Sequence, residues 1–249
     1  MPHAAQSVKR KQGREIRMND FILQGDPPVR IILRRTAAAR RYSLRVSRLD
    51  GRVTLTMPKR ASEARALAFA RDKATWIHQK LSERPQEVAV DLGTSLPVSG
   101  RNLDIVQGPR SRIDFEGGRI EISQRASSVP RAVYGLLRTA AREELATASH
   151  AFSQRLGRAY AGITVRDTRS RWGSCSAEGA LMYSWRLILA PPEVLSYVCA
   201  HEVAHLEQMN HSPRFWAAVE RLWPDYREHR AWLRHHGETL HRYRFLETT

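Results

Sequence analysis

The chain has 249 residues, 42% hydrophobic and 27% charged, which is long enough to bury a core and too apolar for a disordered chain. Its formal net charge of +16 favours contact with something anionic, although a solvated arginine-rich surface gives the same balance and no nucleic-acid motif accompanies it. No apolar run is long enough to span a membrane, no secretory signal opens the chain, and two cysteines, Cys175 and Cys199, are too few for a disulfide framework, so the expectation is a reduced, cytoplasmic protein with no membrane partner.

Residues 1–20 carry Lys9, Arg10, Lys11, Arg14 and Arg17 with almost no apolar spacing and read as a flexible basic tail. Apolar residues alternate in 29–33, 42–46 and 53–57, the last two runs forming a hairpin with a tight turn at Asp50-Gly51. From Ser62, a plausible N-cap, Ala66, Leu67, Phe69, Ala70, Ala74, Ile77 and Leu81 recur at helical spacing. Residues 82–128 return to short strands, notably 103–106 and 119–122, punctuated by Gly108-Pro109 and Gly117-Gly118.

Pro130 opens a long helix that runs to Leu156 and stops at Gly157, with Val133, Leu136, Leu137, Ala140, Leu145, Ala148 and Phe152 on its apolar stripe. Strands follow at 163–166 and 181–189, and Pro191-Pro192 then starts a helix over 193–209. The expected division is a tail over 1–20, a β-rich module with one helix over 21–128, and a catalytic domain over 129–249. The fold class is α+β, with the metal-bearing helix beside a small antiparallel sheet.

The helix over 193–209 contains His201-Glu202-Val203-Ala204-His205, an HExxH motif. Imidazoles four residues apart stack on one helical face and can reach one metal ion, with the Glu202 carboxylate beside them as the general base. Three neutral nitrogen ligands with an open fourth position suit one Zn²⁺, without excluding manganese, nickel or cobalt. The third ligand is His211. In an unbroken helix it would point away from the other two, so the helix must end first, with Asn210 taking the left-handed conformation and Ser212-Pro213 starting the next helix. The spacing matches HExxHxxGxxH, but Gln208 stands at the glycine and no Met-turn follows; Glu220, on the next helix, is the alternative third ligand and reads better as a solvated charge.

Four stretches resemble the YgjP-like predicted metal-dependent hydrolases, relatives of SprT-like and Wss1-like zinc metallopeptidases. They are Ser170 to Ser176 (SRWGSCS), Trp185 to Pro192 (WRLILAPP), Tyr197 to Leu206 (YVCAHEVAHL) and Asn210 to Trp216 (NHSPRFW). The resemblance covers roughly residues 25–235. It implies a minimal zincin-like metallopeptidase domain, with His201, His205 and His211 as metal ligands and Glu202 activating a zinc-bound water to attack a peptide carbonyl. Ser184 stands where the resemblance leads one to expect asparagine, so no substrate contact is assigned there.

Arg171, Trp172 and Ser174 are candidate substrate-binding residues, with Trp172 expected to pack under the metal helix and Arg171 to hold an anionic group or a carbonyl. A tightly packed Trp-Gly hairpin explains the same residues structurally. Cys175 lacks a paired cysteine at ligand spacing, and His150, His229, His235, His236 and His241 lie outside the motif. Phe215, Trp216, Leu222 and Trp223 read as packing beneath the metal helix that holds His211 in place. The expected partner is a peptide or protein substrate. The alternatives are a metal-dependent nucleotide phosphohydrolase acting on nucleoside triphosphates, or a nucleic-acid-associated protease of SprT-like type, with nucleotide or nucleic acid held by the basic surface.

Overall fold

The structure is a computed structural model and describes residues 20–47 and 50–245. The expected basic tail lies outside the described residues, apart from Asp20. The chain forms two compact units, Met1–Arg84 and Pro85–Thr249. The division expected near Ser128 falls inside the second unit, because the strands after residue 94 share one core with the helices that follow them.

In the first unit, β1 (Asp20–Leu23), β2 (Val29–Thr36), β3 (Ser43–Val46) and β4 (Val53–Pro58) form a sheet of order β1-β2-β4-β3. The expected hairpin is β3–β4, paired antiparallel with Val46 opposite Val53; β2 joins β4 in parallel. Its connection is longer than a two-residue turn, with Ser47 N–H donating to Arg52 O and Gly51 at φ +68°. Alternation puts Val29, Ile31, Leu33, Val53, Leu55 and Met57 on one buried face. The expected single helix is two, α1 (Glu63–Asp72) and α2 (Ala74–Ser82), and Ser62 caps the first by accepting from Arg65 N–H. Ala66, Ala70 and Ile77 close the core over that face.

The second unit opens with β5 (Val88–Ala89), β6 (Ser95–Val98), β7 (Arg101–Gly108), β8 (Arg112–Asp114) and β9 (Arg119–Ser123), of which β6 to β9 form a sheet of order β6-β7-β9-β8. Its spine is α3 (Val129–Leu156), capped by Ser128 and ended by left-handed Gly157. Val133, Leu137, Ala141, Leu145 and Phe152 keep one buried stripe along it. Gly135 is exposed on this helix, and a Cβ there would meet nothing within 4 Å. Gly135→Ala therefore raises unfolding stability by about 0.5–1 kcal/mol, read as a higher denaturation midpoint with an unchanged m-value.

Then come β10 (Gly162–Arg166), β11 (Gly173–Cys175), β12 (Ala180–Ser184), α4 (Pro192–Ala204), α5 (Pro213–Leu222), α6 (Tyr226–His236) and β13 (Tyr243–Arg244), which pairs with β5. Two expectations are corrected here. Residues 185–189 leave the sheet as a short 3-10 helix, Trp185–Leu189, with all five side chains buried. The small sheet is mixed rather than antiparallel: in the order β10-β12-β11, β12 runs parallel to β10 and antiparallel to β11. The segment 167–172 together with β11 makes the crossover that a parallel pair needs.

The β6–β7 hairpin supports α4. Its turn places Ser99 at φ +46°, with the hydroxyl donating to Glu144 at 2.7 Å and the N–H to Ile188 O at 2.8 Å. A Cβ on the next residue, Gly100, would sit 3.1 Å from Pro192 Cδ, so the hairpin tip bears on the first turn of α4. No helix among the described residues is long and apolar enough to cross a membrane.

Candidate metal centre

The helix α4 is buried almost all round: Val194, Leu195, Tyr197, Val198, Cys199 and Ala200 pack into the core, leaving His201 half-buried where the packing opens. The helix ends at Ala204, earlier than the expected residue 209. His205, its C-cap, keeps helical dihedrals (φ −64°, ψ −20°), so the two imidazoles still stack along one face. The next turn closes with Leu206 N–H on Val203 O and Gln208 N–H on Ala204 O.

Asn210 does not take the expected left-handed conformation; among the described non-glycine residues only Ser99 does. Its side-chain oxygen instead accepts from Ser212 N–H at 3.2 Å, and Ser212 caps α5 by accepting from Phe215 N–H, with Pro213 in the first turn. Early release of the helix and this pair of caps fold His211 back over α4.

The ligand atoms of His201, His205 and His211 lie within 4.8 Å of one another. The Nε2 atoms of His201 and His211 face each other at 3.1 Å, close to the roughly 3.3 Å that tetrahedral ligation by two imidazoles requires. His205 Nδ1 lies 3.0 Å from Gln208 O; a carbonyl only accepts, so Nδ1 carries the proton and Nε2 keeps its lone pair. Burial pushes His201 down to about 3, with His205, His211 and Arg230 adding to it, and burial also lowers His205. Buried neutral imidazoles with converging lone pairs are a donor set that fits a divalent cation such as zinc.

Phe215 is the common neighbour. Fully buried, its ring stacks on His205 at 4.4 Å and meets His201 and His211 edge-on at 4.9 and 4.7 Å. Trp216 lies against His201 and His211, with the Arg230 guanidinium 4.5 Å over its ring. Glu220 is exposed and bound to Arg227 at 3.0 Å, outside the cluster.

Glu202 is 6% exposed, and burial raises its carboxyl to about 8 against the pull of Arg171. Beside it runs β11, the edge strand of its sheet, which carries Ser174 opposite Met182. Arg171 is exposed. The Trp172 indole rests against Gly237 and the His241 ring, at 5.2 Å from the latter. Ser184 is fully buried behind β11, with its N–H donating to Trp172 O. Cys175 is half-buried, its thiol pushed up to about 11 by burial and by Glu202.

Missing from the sequence reading is the buried Arg186, which grips Asp167 at 2.7 Å and donates to the carbonyls of Leu240 and Tyr243. It fastens the segment before β11 to the residues after α6. Its signal was the arginine inside an apolar run. His241, beside this clamp, is pushed down to about 4 from 6.5 by burial and by Arg186, with Asp167 opposing and Arg169 adding. The unfolded chain therefore binds the proton more readily, and this contribution to stability is full above pH 6.5 and lost as pH falls toward 4. His241→Gln should lose less thermal stability than the parent over that window, as measured by Tm.

Three imidazoles thus converge at the end of the helix that carries the buried Glu202. Residues 40–236, most of the chain, match the YgjP-like family, described as a YgjP-like metallopeptidase domain, and the chain belongs to that family. Membership supports metal-dependent peptide hydrolysis at family level. A crystal structure of the metallopeptidase zymogen of Pyrococcus abyssi abylysin is similar over 36% of this chain and 93% of that chain, at 22% identity and a TM-score of 0.33. No curated protein matches the chain.

Proposed function

We propose that the protein is a zinc-dependent peptidase of minimal zincin-like type, with His201, His205 and His211 as metal ligands and Glu202 as general base. The observation that carries the reading is the convergence of three ring nitrogens within 4.8 Å, with a buried carboxylate next in sequence to the first of them. A zinc ion held there would supply Lewis acidity toward a carbonyl oxygen and make water more acidic. The chain's own residues do the rest. Glu202 takes the proton of the attacking water and returns it to the leaving amine. The open edge of β11 offers unpaired backbone groups to an extended peptide, while Arg171 and Ser174 line the approach.

The test is to load the full chain with zinc, cobalt or manganese and present an unfolded protein and a peptide mixture, with chelated protein alongside. Metal-dependent cleavage is expected. A metal-loaded protein that leaves every peptide intact while releasing phosphate or pyrophosphate from nucleoside triphosphates would overturn the peptidase reading in favour of a nucleotide phosphohydrolase.

A second reading, a nucleic-acid-associated protease of SprT-like type, draws on where the charge sits. Residues 1–84 hold 20 Lys and Arg against 7 Asp and Glu, whereas residues 85–249 hold 21 against 18. The excess positive charge therefore lies mostly on the unit without the histidine cluster, which an evenly arginine-rich composition does not explain. Binding to labelled DNA or RNA should weaken steeply with salt; no binding at low salt would sink this reading.

A further inference from the structure

We infer that Gly173 is a positioning residue for Glu202, and that Gly237, acting through Trp172, holds the strand that carries it. The inference rests on Glu202 being the general base. Among the described residues no hydrogen-bond donor reaches the Glu202 carboxylate, so its place is set by what it touches. What it touches is the backbone of β11: a Cβ on Gly173 would lie 2.5 Å from Glu202 Cγ, 2.5 Å from Oε1 and 2.7 Å from Cδ. Real Cβ contacts are not that short. Gly173 has no left-handed φ that would demand glycine, so space is the reason for it.

Neither partner can give way cheaply. Glu202 is on a helix packed into the core, so added bulk at 173 can be met only by swinging the carboxylate through its side-chain torsions, away from where the ring nitrogens converge. The strand is fixed from behind. Gly173 pairs with Tyr183, which is fully buried, and Trp172 O accepts from Ser184 N–H at 2.8 Å. Trp172 is seated on a second glycine: a Cβ on Gly237 would fall 2.9 Å from its Cζ2 and 3.3 Å from its Nε1. The Arg186–Asp167 pair in turn ties down the chain entering the strand. Two glycines 64 residues apart thus serve one purpose, the first making room for the carboxylate and the second for the indole beside it.

The experiment compares Gly173→Ala, Gly237→Ala and Glu202→Gln in the metal-loaded full chain. Gly162→Ala is the control, since a Cβ on that strand glycine would meet nothing within 4 Å. For Gly173→Ala, kcat should fall by about 10²-fold, within the range a general base contributes, with KM, metal content and the visible spectrum of the cobalt-loaded chain all near the parent's. Gly237→Ala should shift kcat the same way by a smaller factor, about tenfold at most. Adding Gly173→Ala to Glu202→Gln should cost nothing further, because the two act through one group. Parent-like kcat in Gly173→Ala beside an inactive Glu202→Gln overturns the seat alone, as does a loss that tracks metal loss or unfolding. Parent-like activity in Glu202→Gln instead overturns the assignment of the base.

Discussion

Glu202→Gln should reduce kcat by about 10²–10⁴-fold, the usual worth of a positioned proton acceptor, while the protein keeps its metal and its fold. Glutamine has the same length and branching as glutamate, so it fills the same space against Gly173. Among the described residues no hydrogen bond to Glu202 is lost, and burial works against its charge, so removing that charge carries little stability penalty and can help. What the amide cannot do is accept a proton from water. Steady-state kinetics beside metal analysis and a melting curve separate these outcomes. A variant that lost metal in step with activity would instead place Glu202 in the coordination of the ion.

The site was more legible than the scaffold around it, for physical reasons. The pair His201 and His205 follows from helical periodicity, and it survives although α4 ends at Ala204, because His205 keeps helical dihedrals. For His211 the sequence predicts a break and the caps that follow it, Ser212 and Pro213, but not the part Asn210 plays, whose side chain closes a turn while its backbone stays out of the left-handed region. The run Trp185–Leu189 reads as strand or helix equally well, since five residues buried on every side show no alternation. Strand direction in the β10–β12 pair depends on a crossover through loop residues that carry no periodic signal. Gly173 could be flagged from sequence only as a strand glycine; its requirement comes from Glu202, 29 residues further on.

His211→Ala should abolish tight metal binding while leaving the apo protein folded. Of the three imidazoles His211 is the exposed one, so its removal opens no core cavity, whereas His205 is 8% exposed and stacked on Phe215. Its Nε2 stands 3.1 Å from that of His201, and without it two nitrogens remain, one fewer than a catalytic zinc site normally holds. Losing a partner that merely orients a ligand costs about 10–100-fold in affinity, so losing a ligand itself should cost more than about 100-fold. Thermal stability gives a second readout. Metal at about 100 times its Kd stabilises the folded parent by about 2.7 kcal/mol, so zinc should raise the parent's Tm and leave the variant's close to its apo value. An equal Tm rise in both, with equal metal content by competition against a chelating dye, would remove His211 from the site and leave the ion to His201, His205 and some other donor.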